Sequence, residues 1–172
     1  MAATYSLISS TVLTGSQASV TFSSIPQSCT DLVIRCSMRG DRASNTTDIV
    51  KLTVNDDGLS IYSDIFIRGD GAAAISSSNS AATYITGQYA TAATSLANTF
   101  SSFEYYIPSY TTSQARPVSG FFAHENNTTT AYISSSAGLY AGTSAITSLT
   151  LAPLNGSFVS GSSFYLYGIS KS

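Results

Sequence analysis

Of the 172 residues, only 9% are Asp, Glu, Lys or Arg, against roughly 25% in an ordinary soluble domain. The five Arg and two Lys are scattered and the net charge is −2, which excludes the basic face that nucleic-acid binding requires. A hydrophobic fraction of 43% argues against disorder, no apolar run approaches the roughly 18 residues of a membrane-spanning helix, and a single histidine leaves little for acid–base or metal chemistry.

The opening MAATYSLISSTVL has neither a basic stretch nor a long apolar one, so it does not read as a secretory signal, and a reducing cytoplasm is expected. Tyr5–Ile8 and Ala18–Phe22 read as strands. In Thr30–Ser37, Leu32, Ile34 and Cys36 share one face, with Val33 and Arg35 on the other. Cys29 and Cys36 on one extended segment would stand roughly 23 Å apart, too far for a disulfide, so free buried thiols are expected. After a loop at Arg39–Thr47, the strand Asp48–Val54 turns Val50, Leu52 and Val54 inward. Asn55-Asp56-Asp57-Gly58 has the chemistry of a hairpin turn. Ser60–Arg68 alternates again, with Ile61, Ser63, Ile65 and Ile67 against Tyr62, Asp64, Phe66 and Arg68.

The segment Gly71–Asn98 is small, polar and weakly patterned. It predicts long loops around one short strand near Tyr84, with a brief helical turn in Ala90–Leu96. Thr99–Ile107 is a clear strand, with Phe103, Tyr105 and Ile107 opposite Glu104 and Tyr106, and Pro108 ends it. A loop at Ser109–Pro117, a strand Val118–His124, a loop Glu125–Thr129 and strands at Thr130–Ser134, Ala145–Ala152 and Ser163–Ile169 complete the chain. Asn155-Gly156 marks one more turn. About eight to ten short strands without an amphipathic helix predict an all-β single domain over residues 1–172. The expected architecture is an antiparallel β-sandwich, jelly-roll-like.

Several stretches resemble a known family. They are Ala3-Thr4-Tyr5-Ser6-Leu7-Ile8, Val20-Thr21-Phe22-Ser23-Ser24-Ile25-Pro26, Thr30-Asp31-Leu32-Val33, Ala97-Asn98-Thr99-Phe100 and Glu104-Tyr105-Tyr106-Ile107-Pro108. Glu125-Asn126-Asn127, Ala131-Tyr132-Ile133 and the closing run from Gly156 to Ile169 continue them. In this order they resemble small virion proteins of tailed bacteriophages, many from aquatic and cyanobacterial hosts, and the similarity covers nearly the whole chain. The resemblance implies a β-sandwich on the outside of a particle, assembled in the host cytoplasm and without enzymatic activity. It carries over no catalytic motif and no cofactor. It leaves open a capsid decoration or a tail and fibre tip.

The reactive side chains are few. His124 beside Glu125 is the single histidine–carboxylate pair, and neighbours on a strand point to opposite faces. Glu104 and Glu125 are the two glutamates, and a glycosidase would need such a pair across a groove. Asn55, Asp56 and Asp57 lack the oxygen-rich spacing of a calcium loop. Arg39-Gly40-Asp41 and Arg68-Gly69-Asp70 repeat the triplet that integrins read, at places where turns are expected. The formal glycosylation sequons at Asn45, Asn126, Asn127 and Asn155 carry little weight in so Ser/Thr-rich a chain.

Tyrosine is the more informative residue, with 11 copies. Tyr105 and Tyr106 lie next to each other on one strand; Tyr165, Tyr167 and Ile169 share a face of another. A sandwich buries one face of each sheet. The other face is then either amphipathic surface or a contact with a second subunit, since tyrosine is enriched at interfaces. Tyr105, Tyr106, Tyr165, Tyr167 and Ile169 are the candidate subunit interface. The expected function is capsid decoration or cement, as a homotrimer bound to major capsid protein. The alternative is a receptor-binding tail module that reads host surface glycans through loops at one end of the sandwich.

Overall fold

The computed structural model describes residues 4–125 and 131–170, and every regular element in it is a strand. In chain order these are β1 (Tyr5–Val12), β2 (Val20–Phe22), β3 (Asp31–Met38), β4 (Thr47–Val54), β5 (Tyr62–Gly69) and β6 (Ala74–Ala82). There follow β7 (Ile85–Thr91), β8 (Ser101–Ile107), β9 (Arg116–Glu125), β10 (Ala131–Tyr140), β11 (Leu149–Pro153) and β12 (Ser163–Ile169). They form two antiparallel sheets packed as a sandwich. The larger has the order β1-β12-β3-β8-β9-β10-β5-β6 and the smaller β2-β11-β4-β7.

The chain crosses between the sheets at every step from β1 to β5. The turn at Asn55-Asp56 is one such crossing. Both residues take positive φ (54° and 53°), as their type tolerates. They join β4 in one sheet to β5 in the other, so this is a corner and not the expected hairpin. Asn55 Oδ1 pins it by accepting from the backbone N–H of Thr147 (2.8 Å) and Ser148 (3.2 Å).

Alternation places the core. β3 buries Leu32, Ile34 and Cys36, β8 buries Phe103, Tyr105 and Ile107, and β12 buries Phe164 and Leu166. Val50, Leu52, Val54, Leu149 and Leu151 of the smaller sheet face them. Each such side chain contributes roughly 1.5–3 kcal/mol on full burial, and no metal or disulfide is required at this size. Cys36 lies in this core and Cys29 half-buried before β3, both as free thiols.

The structure corrects the middle of the chain. Gly71–Asn98 is not long loops around one strand; it holds two strands, β6 and β7, and Ala90–Leu96 forms no helix. The reason is partnership. β6 is exposed along its length and pairs only with β5, so its serines carry no hydrophobic alternation. β7 crosses the inner face of the larger sheet, where it needs small residues. Gly120 on β9 is one: a Cβ there would collide with Gln88 Nε2 and lie 2.6 Å from Ser136 Oγ and Tyr105 Cε1. The strands number 12 rather than eight to ten. β1 and β10 run further than expected, to Val12 and Tyr140, and β11 starts late, at Leu149. The expected loop Glu125–Thr129 and the start of the strand at Thr130 lie largely outside the described residues.

Candidate functional site

The smaller sheet covers only one side of the larger, whose other face is open. Strand register writes out that face in rows. One row runs Tyr165, Arg35, Glu104, Phe121, Ser135, Ile67 across β12, β3, β8, β9, β10 and β5. The row on one side reads Ser163, Ser37, Ser102, Ala123, Ile133. On the other side lie Tyr167, Val33, Tyr106, Ser119, Ala137 and Ile65.

Two chemistries divide this face. On β10 and β5, Ile133, Leu139, Ile65 and Ile67 are between 39% (Leu139) and 59% (Ile67) exposed. The residues between them are Ser63, Ser135 and Ala137, so this half has no charge. On β12, β3 and β8 the face is amphipathic. Arg35 Nε donates to Glu104 Oε2 at 2.7 Å, both side chains being open to solvent. Tyr106 donates its hydroxyl to Asp31 Oδ2 (2.9 Å). The Tyr165 and Tyr167 rings stack with centroids 6.5 Å apart, and Tyr5 of β1 meets Tyr167 edge-on at the same distance. A trough of about 530 Å3 crosses the strands here, lined by the serine row Ser163, Ser37 and Ser102, by Tyr165, Arg35, Glu104 and Phe121 of the next row, and by Tyr167.

Of the candidate interface residues, Tyr106, Tyr165, Tyr167 and Ile169 lie half-buried on this face. Tyr105 does not. It is 0% exposed, packed edge-on against Phe103 (4.7 Å) in the core. Alternation alone separates it from Tyr106, because successive side chains leave opposite faces of a strand. Its hydroxyl reaches the Thr86 carbonyl at 3.3 Å, which satisfies it between the sheets.

The remaining chemical candidates have structural employment. His124 is buried, stacked on Phe122 at 5.4 Å and against Tyr132 at 4.7 Å. Its Nδ1–H donates to the Glu125 carbonyl (2.7 Å), and its Nε2 has no partner. Burial, then the nearby Arg68, hold its pKa below the ordinary value despite Glu125. Glu125 accepts from the Leu96 N–H and the Thr99 hydroxyl, bracing a loop, while Glu104 pairs with Arg35 on the open face. The structure therefore does not bring the two glutamates together across a groove. Arg39 donates to the carbonyls of Ser95, Leu96 and Thr99. Arg68 lies over the rings of Tyr89 and Tyr132, and Asp70 caps a turn by accepting from the Ala72 and Ala73 N–H groups. Both Arg-Gly-Asp triplets are thus absorbed into the fold. Asp57 Oδ1 accepts from the Leu59 N–H at its own corner, and among the described residues no cluster of His, Cys, Asp or Glu could hold a metal. Asn126 and Asn127 lie outside the described residues.

The residues missed from the sequence are the isoleucines and Leu139. A signal existed: β5 is apolar on both faces, Tyr62 and Phe66 against Ile65 and Ile67, which a strand with one wet face does not need. Compared with known proteins, the chain matches no family model and no curated sequence.

Proposed function

We propose that this chain is a non-enzymatic structural protein of a virus particle. It decorates the shell and adheres to shell subunits through the outer face of β10 and β5. The observation that carries this reading is the uncharged apolar patch of Ile65, Ile67, Ile133 and Leu139. A monomer gains nothing by holding four large aliphatic side chains in water. Covering each half-exposed side chain yields about 1 kcal/mol, and a contact without ions is scarcely weakened by salt. The partner chemistry is a low-charge, apolar shell surface, because an ionic one would lose its hydration here without compensation. Trimers would suit the local three-fold positions of an icosahedral shell, where one contact is made three times.

Strand order supports the particle reading. The series β1-β12-β3-β8 against β2-β11-β4-β7 is how a jelly roll wraps two Greek keys. On that reading the hairpins β5–β6 and β9–β10 are additions that widen one sheet and create the patch.

The test is a low-resolution map of the purified particle with this chain located and counted. Hundreds of copies, roughly, place it on the shell, whereas about three to eighteen place it on a tail and overturn the decoration reading. In parallel, shells stripped of the chain should rebind the native protein and fail to rebind Ile67→Lys.

A further inference from the structure

The trough over β12, β3, β8 and β9 has a ligand chemistry of its own. We propose that it binds a neutral, linear polysaccharide lying across the strands. In one cross-strand row Tyr165 and Phe121 flank Arg35 and Glu104. Three strand spacings put the two rings about 14 Å apart, roughly three pyranose rings end to end. A pyranose has apolar C–H faces, which stack on aromatic rings, and a rim of hydroxyls that both donate and accept.

The trough supplies that rim's complement. Ser37, Ser102 and Ser163 offer hydroxyls from their row, Arg35 offers donors and Glu104 acceptors. The guanidinium uses Nε on Glu104, leaving its other donors for a ligand. The one cation and the one anion of the lining cancel, so neither a polyanion nor a polycation is favoured. A trough 530 Å3 in size and open along its length suits a polymer better than a small molecule, which needs enclosure.

The site does not depend on the particle assignment. Adjacent strands rotate by about 20°, so the centres of the trough and the apolar patch, three strands apart, face directions about 60° apart, and the two meet where Phe121 of β9 pairs with Ser135 of β10. A subunit seated by its patch turns the Tyr165 end of the trough, on β12 and β3, away from the contact. This also differs from a glycan site in loops at one end of the sandwich, because every group named here lies on a strand.

The test is affinity electrophoresis of the full chain in native gels cast with glucomannan, xyloglucan or mixed-linkage β-glucan, with alginate as an anionic comparison. Each protein is scored against its own mobility in a blank gel. Retardation is expected in at least one neutral gel, reduced at least fivefold by Tyr165→Ala and by Phe121→Ala, and unchanged by Ile67→Ser on the patch. Equal mobility in all three neutral gels, retardation by alginate alone, or undiminished binding by the Tyr165→Ala, Phe121→Ala double variant overturns the proposal. Thermal melts check that the variants fold. Should either aromatic variant melt early, Arg35→Gln with Glu104→Gln replaces it, and binding by that protein equal to the native one is equally fatal. Failure here leaves shell rebinding through Ile67 untouched, so the two readings fail separately.

Discussion

Arg35 and Glu104 face each other across β3 and β8, Nε 2.7 Å from Oε2, in the middle of an open sheet face. Both side chains are well exposed, and exposed ion pairs contribute little. The double variant Arg35→Gln, Glu104→Gln is expected to lose less than about 1 kcal/mol, measured by urea denaturation. A loss of several kcal/mol would mean that the pair holds the sheet together.

Gly120 has no room for a side chain. A Cβ there would run into Gln88 of β7, Ser136 of β10 and Tyr105 of β8, all held in the buried layer. Gly120→Ala is expected to cost about 1–3 kcal/mol through overpacking. The read-out is the denaturation midpoint; an unchanged midpoint would show that Gln88, Ser136 and Tyr105 leave room beside β9.

His124 gives the fold a defined acid sensitivity. Burial lowers its pKa in the folded state, so the folded chain resists the proton that the unfolded chain accepts below about pH 6.5. Above that pH neither state binds it and stability is flat. As the pH drops below about 6.5, stability is expected to fall by up to about 1.4 kcal/mol per pH unit until the folded chain also takes up the proton. His124→Phe should flatten the profile in that window. Denaturation midpoints at half-unit pH steps measure both, and a native profile already flat there contradicts the account.

Arg39 organises the loop between β7 and β8 by donating to three of its carbonyls. Bonds to a charged group are each worth about 1.5–3 kcal/mol. Arg39→Ala is expected to destabilise by about 2 kcal/mol overall and to open residues 93–99 to limited proteolysis. Digestion no faster than that of the native protein would argue against this role.

Ile67→Lys and Ile133→Lys change side chains already half in water. Their thermal stability is expected to stay within about 0.5 kcal/mol of the native chain, while the shell attachment proposed for this patch is lost. A large drop in melting temperature for either would place these side chains in the fold rather than at a contact.

Strand alternation made the face assignments legible before any coordinates. Leu32, Ile34 and Cys36 are inward as their spacing requires, and so are Val50, Leu52 and Val54. The same logic separates Tyr106 from Tyr105, so ring chemistry groups as one interface two side chains whose directions differ. β6 was not legible, because an edge strand exposed on both faces has no hydrophobic period to display. β7 was obscured by Gly87, Gln88 and Ala90, small or polar residues chosen for close approach to the opposite sheet. The open patch was half legible, in the two-sided apolar pattern of β5.

Composition and alternation by themselves determined an all-β chain with a core of alternating aliphatic and aromatic residues, poor in charged side chains. Those properties follow from local periodicity and side-chain chemistry, which need no knowledge of neighbours. Tertiary structure alone decided which strands pair, that eight of them share one sheet, and that only one face of that sheet is covered. Pairing joins residues far apart in the chain, as in Arg35 between Tyr165, 130 positions on, and Glu104, 69 positions on, and no local pattern records which distant strand lies alongside.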